Sequence, residues 1–585
     1  MLFPRDSSTR EVRELGGLWD FAKDKENVGV KKRWFANPPA TRPMAVSANF
    51  NEQTEDDDLW EYFGAVWYFR RFVVPASWTA KRIVLRIGAA NYSSRVWLDG
   101  RPLMTNEGGA LPFEAEITRR VAPGGEHFLA VRIDTTLSAT TVPPAVLPPE
   151  KGRPFEYEFD FLHMSGIHRP VRLYATAKTY LADVTVVPWI RGAAGGLDVS
   201  FKVAGKYDSV RLAALDDRRR KVASAETSKS SLRLAIPGCR FWSPDRPYLY
   251  TLKVEVMSGG RVVDEYPLPV GVRTVKVQGT KFLLNGKPVY FKGASRHEDF
   301  PVIGRGPNDA VLVKDFSLMK WANANFFRTV HYPYAEEVLN MADRLGIMVI
   351  DETPAVGMNG KGRKVFTRGI IDERTRKTHL ALLERQYQRD KNHPSIVMWS
   401  LANEPASWEA GFRPYIKPVF DRMRRLDRTR PVSFVSDAGH RGEKAGDLCD
   451  VILTNLYFGW YSRTAQLDAI EDELSRELDG WYARFKKPVI VTEFGCETIA
   501  GMHSQPPLIF TEEYQVELVK HYAAVLDSKP YVIGEAIWVM NDFLTKQGLT
   551  RCGGNRKGIF TRLRQPKMAA HFLRERWSRS LGTRK

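Results

Sequence analysis

Residues 396–405 decide the fold. Ile396-Val397-Met398-Trp399-Ser400-Leu401 forms a short apolar run that leads directly into Ala402-Asn403-Glu404-Pro405. The run predicts a strand, and the residues after it place an amide and a carboxylate where that strand ends. Similar runs recur through the second half of the chain, separated by longer amphipathic stretches that predict helices.

Eight such strands are predicted after residue 275, and helices lie between them. The clearest helical stretches are 315–323, 335–345, 372–391 and 512–526. Eight strands alternating with helices over roughly 300 residues are typical of a (β/α)₈ TIM barrel. The predicted strands are 289–293, 326–330, 347–351, 396–401, 432–435, 451–454, 489–492 and 532–538.

The first 273 residues have a different pattern, in which short β-type runs are broken by turns. Residues 66–74, 82–87 and 94–98 predict strands of an N-terminal β-sandwich, of the jelly-roll kind found in sugar-binding domains. A second β-rich segment of about 90 residues has the length of an immunoglobulin-like sandwich. We therefore predict a multidomain chain: a β-sandwich over 1–180, an immunoglobulin-like β-sandwich over 181–273, and a catalytic barrel over 274–585.

Length and composition limit the class of protein. At 585 residues the chain is too long for one hydrophobic core. No run approaches the roughly 18 apolar residues of a membrane span, so no membrane partner is expected. The N-terminus lacks the apolar core of a signal peptide, so we expect a cytoplasmic protein or a mature form whose leader is removed. The four cysteines have no metal-ligand spacing, and buried free thiols are expected.

The net charge of +19 raises the question of a nucleic-acid partner. However, basic residues are dispersed among acidic ones and no nucleic-acid motif is present, so no such partner is predicted. The charge is also compatible with long-range attraction of an anionic substrate. A DNA-binding function would instead predict salt-sensitive DNA retention without enzyme activity.

Two glutamates follow predicted strands of the barrel. Glu404 follows the fourth strand and Glu493 follows the seventh, within Thr492-Glu493-Phe494-Gly495. In a TIM barrel the chemistry takes place where the strands end at the C-terminal face, so the two carboxyls are expected to flank one bond. Retaining hydrolysis of a glycoside needs such a pair, about 5–5.5 Å apart, one protonated and one ionised.

The segments around both glutamates resemble glycoside hydrolase family 2. Gly271-Val272-Arg273, residues 282–288 and the order of the three domains resemble that family too, so the resemblance covers essentially the whole chain. It implies an exo-acting hydrolase that works through a covalent glycosyl-enzyme intermediate without a cofactor. It also implies that Glu404 is the acid/base, Glu493 the nucleophile, and Asn403 a donor to the 2-hydroxyl of the sugar.

Within that family the chain resembles the β-glucuronidase group. The segments that carry this likeness are 160–161, 165–169, 297–299, 328–337, 455–461 and 555–558. The resemblance implies that Asn555 and Lys557 bind the C6 carboxylate of a glucuronide, with Arg551 and Tyr461 near it. It further implies that Asp160 and His331 contact ring hydroxyls, that Tyr457 lies beside the nucleophile, and that Trp538 lines the pocket.

Each of these residues has a plain structural alternative. Asp160 could be a surface acid of the first domain, and His331 could be a hydrogen-bonded core histidine. Tyr457, Tyr461 and Trp538 could be packing aromatics. Arg551 could pair with a neighbouring acid, and the Asn555-Arg556-Lys557 turn could be a solvated basic loop in a basic protein. Arg556 is expected to point away from the pocket.

The nearest functional alternative is a β-galacturonidase, which also needs a cation for its substrate carboxylate. A neutral-sugar β-galactosidase or β-mannosidase is disfavoured because Lys557 would then be left unpaired. A silent sugar-binding protein on the same scaffold would be expected to lack one catalytic glutamate, and both are present. By analogy with the family, a homotetramer is a possible assembly.

Three further features qualify the prediction. His297-Glu298-Asp299 lacks convergent ligand geometry, so no metal is predicted. The nucleophile is followed by Phe494, where many relatives carry Tyr, which removes one hydroxyl near the site. Some members of the resembled group carry a longer loop after the strand that ends at Asp351, and that loop closes over the aglycone. The connection here, residues 353–362, is short, so the resemblance implies an open mouth that admits bulky aglycones or the end of a polysaccharide.

Overall fold

The computed structural model describes residues 1–147, 156–579 and 581. Along the chain it forms a two-sheet β-sandwich, a second β-sandwich and a closed eight-stranded parallel barrel surrounded by helices. The multidomain fold class predicted from the sequence is therefore confirmed.

The N-terminal sandwich packs a four-stranded sheet of order β1-β10-β5-β8 against a six-stranded sheet of order β3-β2-β4-β9-β6-β7. One apolar core, with Phe21, Tyr68 and Leu85 at its centre, holds the two sheets together. Its strands are β1 Glu11–Glu14, β2 Gly17–Asp24, β3 Arg42–Val46, β4 Ala65–Val73, β5 Arg82–Ile87, β6 Ser93–Leu98, β7 Arg101–Asn106, β8 Phe113–Glu116, β9 Glu126–Asp134 and β10 Val171–Thr176, and helix α1 is Asp57–Trp60.

The immunoglobulin-like sandwich packs a three-stranded sheet of order β11-β12-β15 against a four-stranded sheet of order β14-β13-β16-β17. A small sheet of β18, β19 and β20 then leads into the barrel. The strands are β11 Tyr180–Arg191, β12 Ala194–Ala204, β13 Ser209–Leu215, β14 Lys221–Thr227, β15 Ser231–Ile236, β16 Tyr250–Ser258, β17 Arg261–Val270, β18 Val275–Gln278, β19 Lys281–Leu284 and β20 Lys287–Pro288.

The barrel closes with β21 paired to β28, and each strand is parallel to its neighbours. Its strands are short and apolar because helices cover them outside and side chains fill the interior, so both faces are buried. They are β21 Phe291–Arg296, β22 Phe326–Thr329, β23 Met348–Glu352, β24 Ile396–Asn403, β25 Val432–Ser436, β26 Ile452–Asn455, β27 Val489–Glu493 and β28 Val532–Ile537.

The barrel helices begin with ordinary capping signals. Asn308 accepts a hydrogen bond from the backbone of Val311 before α2, and Asp372 forms a capping box with Thr375 before α4. The helices are α2 Asp309–Trp321, α3 Glu336–Leu345, α4 Glu373–Asp390, α5 Phe412–Leu426, α6 Gly439–Gly442, α7 Ile470–Phe485, α8 Glu512–Ser528 and α9 Met568–Ser578.

The predicted first barrel strand is displaced by two residues. It was expected at 289–293, whereas β21 runs from Phe291 to Arg296. Val289 instead donates its backbone N–H to Phe282 O, which keeps it with the preceding small sheet. The apolar pattern alone could not distinguish these two neighbouring pairings.

A segment of the first domain, residues 156–170, crosses to the mouth of the barrel. Leu162 N donates to Leu544 O at 2.9 Å. Arg169 Nη2 donates to Glu298 Oε2 at 3.0 Å and to Pro333 O at 2.7 Å. These bonds hold Asp160, which lies between β9 and β10 in sequence, against the C-terminal face of the barrel.

Several sequence expectations concern single residues or helices. Cys449 and Cys496 are buried free thiols as expected, but Cys239 is only half-buried and Cys552 is exposed, so the expectation of burial is wrong for these two. Cys552 lies in the surface loop after β28, where no core is available to cover it.

In the described part of the chain, no helix combines the length and the apolar character needed to cross a membrane.

Candidate active site

A cavity of about 540 Å³ opens at the C-terminal ends of the barrel strands. Its size is ordinary for a small-molecule site. Most of the predicted site residues line it, namely Asp160, His331, Asn403, Glu404, Tyr457, Tyr461, Glu493, Trp538 and Arg551. Asn555 and Lys557 are fully buried and lie behind this wall, in contact with residues that form it.

The base of the cavity is a buried charge network on the strand ends, here called the strand-end network: Arg328, His331, Glu352, Asn403 and Glu493. Arg328 on β22 is inaccessible to solvent and lies between two carboxylates. It donates to Glu352 Oε2 at 2.9 Å and also to Glu493 Oε1. Buried charges need such partners, so Arg328 fixes the carboxyl of Glu493 in position.

Asn403 is oriented by the same guanidinium. Its Oδ1 accepts from Arg328 Nη1 at 3.1 Å and from Asn455 Nδ2 at 3.4 Å. With the oxygen used in this way, the amide Nδ2 remains the group that can donate toward the cavity. This geometry suits a donor to a sugar hydroxyl.

Glu404 sits in a less cationic setting than Glu493. Its Oε1 accepts from the neutral amide of Asn455 at 2.6 Å. Its backbone has a φ of +44°, which is uncommon for a residue with a side chain and turns the chain sharply at the end of β24. Glu493, in contrast, accepts from Arg328 and from Tyr457 Oη, the latter at 2.7 Å.

Burial raises the pKa of the carboxyls of both Glu404 and Glu493. That of Glu493 rises to about 8, because burial and the charge of Glu404 outweigh Arg328 and Tyr457. The pKa of Glu404 is raised by burial against the hydrogen bond from Asn455. Arg328 and Tyr457 both act to lower the pKa of Glu493, whereas the hydrogen bond from the neutral amide of Asn455 acts to lower that of Glu404.

His331 and Trp538 form one wall of the cavity. Their rings stack with centroids 5.3 Å apart and an angle of 14°. His331 Nδ1 donates to Glu352 Oε1 at 2.8 Å, which orients the ring and leaves Nε2 4.0 Å from Glu493 Oε1. Burial lowers the pKa of His331, which favours a neutral ring. His331 is thus both a packed, hydrogen-bonded histidine and a cavity wall.

The opposite end of the cavity holds a second charged group, the cation cluster: Asp160, Glu497, Arg551, Asn555 and Lys557. Arg551 donates to both oxygens of Asp160 at 2.8–3.1 Å and to Glu497 Oε1 at 3.0 Å. Asn555 Nδ2 also donates to Asp160 Oδ2 at 2.9 Å. Asp160 and the loop after β28 are therefore in direct contact across two domains.

Lys557 is paired with an acid in the cluster. Its Nζ donates to Glu497 Oε1 at 3.1 Å and to Tyr461 Oη at 3.0 Å. The argument that a neutral sugar would leave Lys557 unpaired is therefore wrong. Glu497 lies four residues beyond Glu493, and its other oxygen accepts from the backbone N–H of Arg556 at 2.6 Å.

The cluster contains two cations and two carboxylates, which balances its charge. Burial acts to raise the pKa of Asp160, but Arg551, Lys557 and Asn555 outweigh it, so the pKa is lowered and Asp160 is ionised. Arg551 thus pairs with neighbouring acids, which was the structural alternative for this residue. Asp160 is not a surface acid remote from the barrel. The side chain of Arg556 bonds to the carbonyls of Cys552 and Gly553 and does not line the cavity.

Sequence reasoning missed four residues that organise this site: Arg328, Glu352, Asn455 and Glu497. Arg328 had a usable signal, because an arginine inside an otherwise apolar strand must find a buried counter-charge. Glu352 likewise ends an apolar strand. Glu497 had no signal, since its partners are 54 and 60 residues away along the chain.

Asp437, after β25, was also missed. Its carboxyl turns into the cavity wall, where burial and the charge of Glu404 raise its pKa.

His297, Glu298 and Asp299 point to separate partners. The ring of His297 packs on Phe543 with centroids 4.2 Å apart. Glu298 pairs with Arg169, and Asp299 accepts from Arg562 at 2.6–2.9 Å. Across residues 1–147, 156–579 and 581, no group of three or more His, Cys, Asp or Glu side chains is arranged to hold a metal ion.

Comparison with known families accounts for nearly the whole chain. Residues 275–580 match the TIM barrel domain of the glycosyl hydrolases family 2, and residues 12–177 match the sugar binding domain of that family. Residues 174–273 match a further domain of the same family. The chain belongs to glycoside hydrolase family 2. It is therefore a glycoside hydrolase, with both glutamates in the family's barrel domain.

Relatives in glycoside hydrolase family 2 align over almost their full length. A beta-glucuronidase of Paenibacillus borealis is 44% identical over 588 residues, which cover 99% of this chain and 98% of that protein. The beta-glucuronidase of Homo sapiens is 41% identical, covering 99% and 92%.

Solved structures agree with this placement in the family. The beta-D-glucuronidase of Dictyoglomus thermophilum superposes with a TM-score of 0.94 at 41% identity, covering 99% of each chain. A beta-glucuronidase of Ruminococcus gnavus in complex with D-glucaro-d-lactam gives 0.93 at 36% identity, covering 98% of this chain and 99% of that one.

Proposed function

We propose that this family 2 hydrolase is an exo-acting, retaining β-glucuronidase that releases glucuronate from terminal β-D-glucuronides. One observation carries the choice of sugar: Arg551 also lines the cavity with the two glutamates, and Asn555 and Lys557 lie directly behind its wall, bonded to Asp160 and Tyr461. Guanidinium, ammonium and amide donors suit a carboxylate substituent. The names of the relatives support the same substrate class.

In the first step Glu404 gives its proton to the glycosidic oxygen, and the aglycone leaves as an alcohol. Glu493 attacks the anomeric carbon and forms a covalent ester with the sugar. The distribution of partners supports this division, because Arg328 and Tyr457 bond directly to Glu493, whereas Glu404 accepts from the neutral amide of Asn455.

In the second step Glu404, now ionised, takes a proton from water. The resulting hydroxyl adds to the anomeric carbon, and Glu493 leaves as a carboxylate. Asn403 Nδ2 is suited to hold the 2-hydroxyl through both steps, since Arg328 fixes the amide by its oxygen. Trp538 and His331 offer flat surfaces against which a sugar ring can pack.

Substrate binding requires a change of partners in the cation cluster. Without substrate, the carboxylate of Asp160 is bound by Arg551 and Asn555, two of the groups expected to hold the substrate carboxylate. We propose that the substrate carboxylate takes these donors and that Asp160 then turns to ring hydroxyls. A neutral sugar brings no carboxylate to replace that of Asp160. Separating Asp160 from Arg551 would therefore lower the binding free energy gained by a neutral sugar.

The substrate preference is tested by comparing aryl β-glucuronide, β-galacturonide, β-galactoside and β-glucoside. Lys557→Ala is expected to lose about 2–5 kcal/mol of transition-state stabilisation on uronides and little on neutral sugars. The surface variant Lys520→Ala, whose lysine pairs only with Glu517 on α8, should match the wild type and serves as the control.

Two outcomes would replace the proposal. If the wild type prefers the galacturonide, the enzyme is a β-galacturonidase, which shares the clamp and differs at the 4-hydroxyl. If Lys557→Ala lowers activity on all four sugars equally, Lys557 acts through the fold and the assignment to a uronic acid fails.

The side of the cavity that would receive the aglycone includes the connection after β23. Val356, Gly357 and Asn359 line it, and Asn359 Nδ2 donates to Asp437 Oδ2 at 3.2 Å. We propose that this mouth accepts bulky aglycones or the end of an oligosaccharide. Much faster cleavage of small aryl glucuronides than of glucuronide-capped oligosaccharides would contradict this.

The assembly is proposed by analogy with the family. We propose a homotetramer in the cytoplasm, with no metal, cofactor or nucleic acid needed for turnover. Light scattering coupled to gel filtration would measure the assembly, and a mass of a single chain would contradict the tetramer.

A further inference from the structure

A second cavity, of about 330 Å³, lies between the immunoglobulin-like domain and the barrel. One side is β11 at residues 185–188, and the other is residues 425–430, which form the end of α5 and the loop that leads from it to β25. Because this loop precedes a barrel strand, the cavity lies at the N-terminal end of the barrel, away from the catalytic face. It is called the interdomain cleft below.

Arg273 lines this cleft and is almost fully buried, with 2% of its surface exposed. It belongs to the Gly271-Val272-Arg273 motif, which the catalytic site does not use. Its Nε donates to Pro394 O at 3.0 Å and its Nη2 to Ile396 O at 2.7 Å. Within the described part of the chain, Nη1 has no hydrogen-bond partner and the guanidinium contacts no carboxylate. Burial and the nearby Arg430 lower the pKa of Arg273 to about 9.

Two more arginines line the cleft without a counter-charge. Arg425 and Arg428 are exposed, and neither forms an ion pair with any residue that the structure describes. The remaining cations there are already paired: Lys391 contacts Asp183 at 2.7 Å and Arg430 contacts Asp427 at 2.7 Å. The carboxylate of Asp427 also accepts hydrogen bonds from Trp399 and Thr429, so its oxygens are already engaged.

Three unpaired guanidiniums around one cavity favour an anion. Like charges held in a partly enclosed cleft repel one another and raise the local concentration of anions. The planar donor fork of arginine matches tetrahedral oxyanions as well as carboxylates. The volume is about ten times the roughly 30 Å³ of one water molecule, so it can hold an oxyanion and part of the group that carries it.

We propose that the interdomain cleft is an accessory binding site for a sulfate- or phosphate-type oxyanion. The site does not depend on the reaction at the catalytic face and is separate from the cation cluster. The arginines of this cleft contribute to the net charge of +19, and the catalytic site does not use them. The oxyanion can be free in solution or attached to a sulfated saccharide, and these two sources share the same chemistry.

Calorimetric titration at constant ionic strength tests the proposal on the full-length chain. Inorganic sulfate, inorganic phosphate and a sulfated disaccharide are each titrated into wild type, the double variant Arg425→Ala/Arg428→Ala, and the control Arg101→Ala. Arg101 is an exposed arginine at the start of β7. Wild type and control should bind saturably, and the double variant should bind at least tenfold more weakly.

The comparison separates this site from the catalytic one. If the double variant binds the probes as strongly as the wild type does, the binding site lies elsewhere and the proposal is overturned. The proposal is also overturned if none of the three probes binds saturably. Tighter binding of the disaccharide than of the free ions assigns the site to a glycan, and equal binding assigns it to the free oxyanion. Unchanged far-UV circular dichroism and unchanged glucuronide kinetics in the double variant would show that its fold is intact.

Discussion

The strand-end network and the cation cluster hold charge in different ways. In the network, one guanidinium, Arg328, lies between Glu352 and Glu493, and every member stands on or directly after a barrel strand. In the cluster, Arg551 and Lys557 share the carboxylate of Glu497, and the members come from loops of two domains. Under the proposed function, strands carry the groups for bond cleavage, and loops carry the groups that select the sugar.

The difference predicts two patterns of substrate dependence. Changes in the strand-end network or the acid/base should lower activity on every sugar, because all glycosides need the same two carboxyls. Changes that affect Arg551 or Lys557 in the cation cluster should act mainly on uronides, because neutral sugars bring no carboxylate for these cations. Four single-residue variants test this division, in order of decreasing effect.

The largest effect is expected for Glu493→Ala. Removing the nucleophile should lower kcat by about 10⁴-fold or more on both glucuronide and glucoside, as expected when one member of a catalytic unit is lost. Stopped assays with quantified product measure the loss. The surface variant Glu517→Ala is the control, and kcat close to the wild type in Glu493→Ala would exclude this residue as the nucleophile.

Glu404→Gln should lower kcat/KM by about 10²–10⁴-fold for aglycones that need protonation. Activity requires protonated Glu404, so kcat/KM in the wild type should fall as the pH rises through its raised pKa. The variant should lose this alkaline limb, and substrates with acidic phenols as leaving groups should be affected least. A pH–rate profile checks both, and an unchanged alkaline limb would assign the acid to another group.

Glu497→Gln should affect uronides selectively. It keeps the hydrogen-bonding shape but removes the charge that positions Arg551 and Lys557, at a cost of about 1.5–3 kcal/mol in transition-state stabilisation. Kinetics on aryl glucuronide and aryl glucoside measure the split. An equal loss on both sugars would show that Glu497 supports the whole barrel face and not the cluster alone.

The smallest effect is expected for Tyr461→Phe. The phenol oxygen accepts from Arg551 at 2.6 Å and from Lys557 at 3.0 Å, but the side chain is largely exposed. Loss of these bonds should lower transition-state stabilisation on uronides by about 0.5–1.5 kcal/mol, seen mainly as a higher KM. A larger effect on glucoside than on glucuronide would show that Tyr461 does not act through Arg551 and Lys557.

Much of the barrel could be predicted because its strands are short apolar runs of regular spacing. Seven of the eight were placed within a residue or two, and the first was displaced because Val289 pairs with Phe282. Glu404 and Glu493 were found because they directly follow such runs. The resemblance placed Tyr461 near Lys557, but the acid that pairs with Lys557 could not be predicted, because Glu497 approaches it only after the loops beyond β27 and β28 have folded together.

The sequence by itself determined the three-part architecture, the barrel strands and the two glutamates at their ends, because strand periodicity and strand-end position are local properties. Only the tertiary structure decided how charge is shared. It placed Arg328 between two carboxylates, brought Asp160 from the first domain onto Arg551, and bonded Arg273 to two backbone carbonyls in the interdomain cleft. These are long-range contacts between buried charges, and no local pattern in the chain encodes which partners meet.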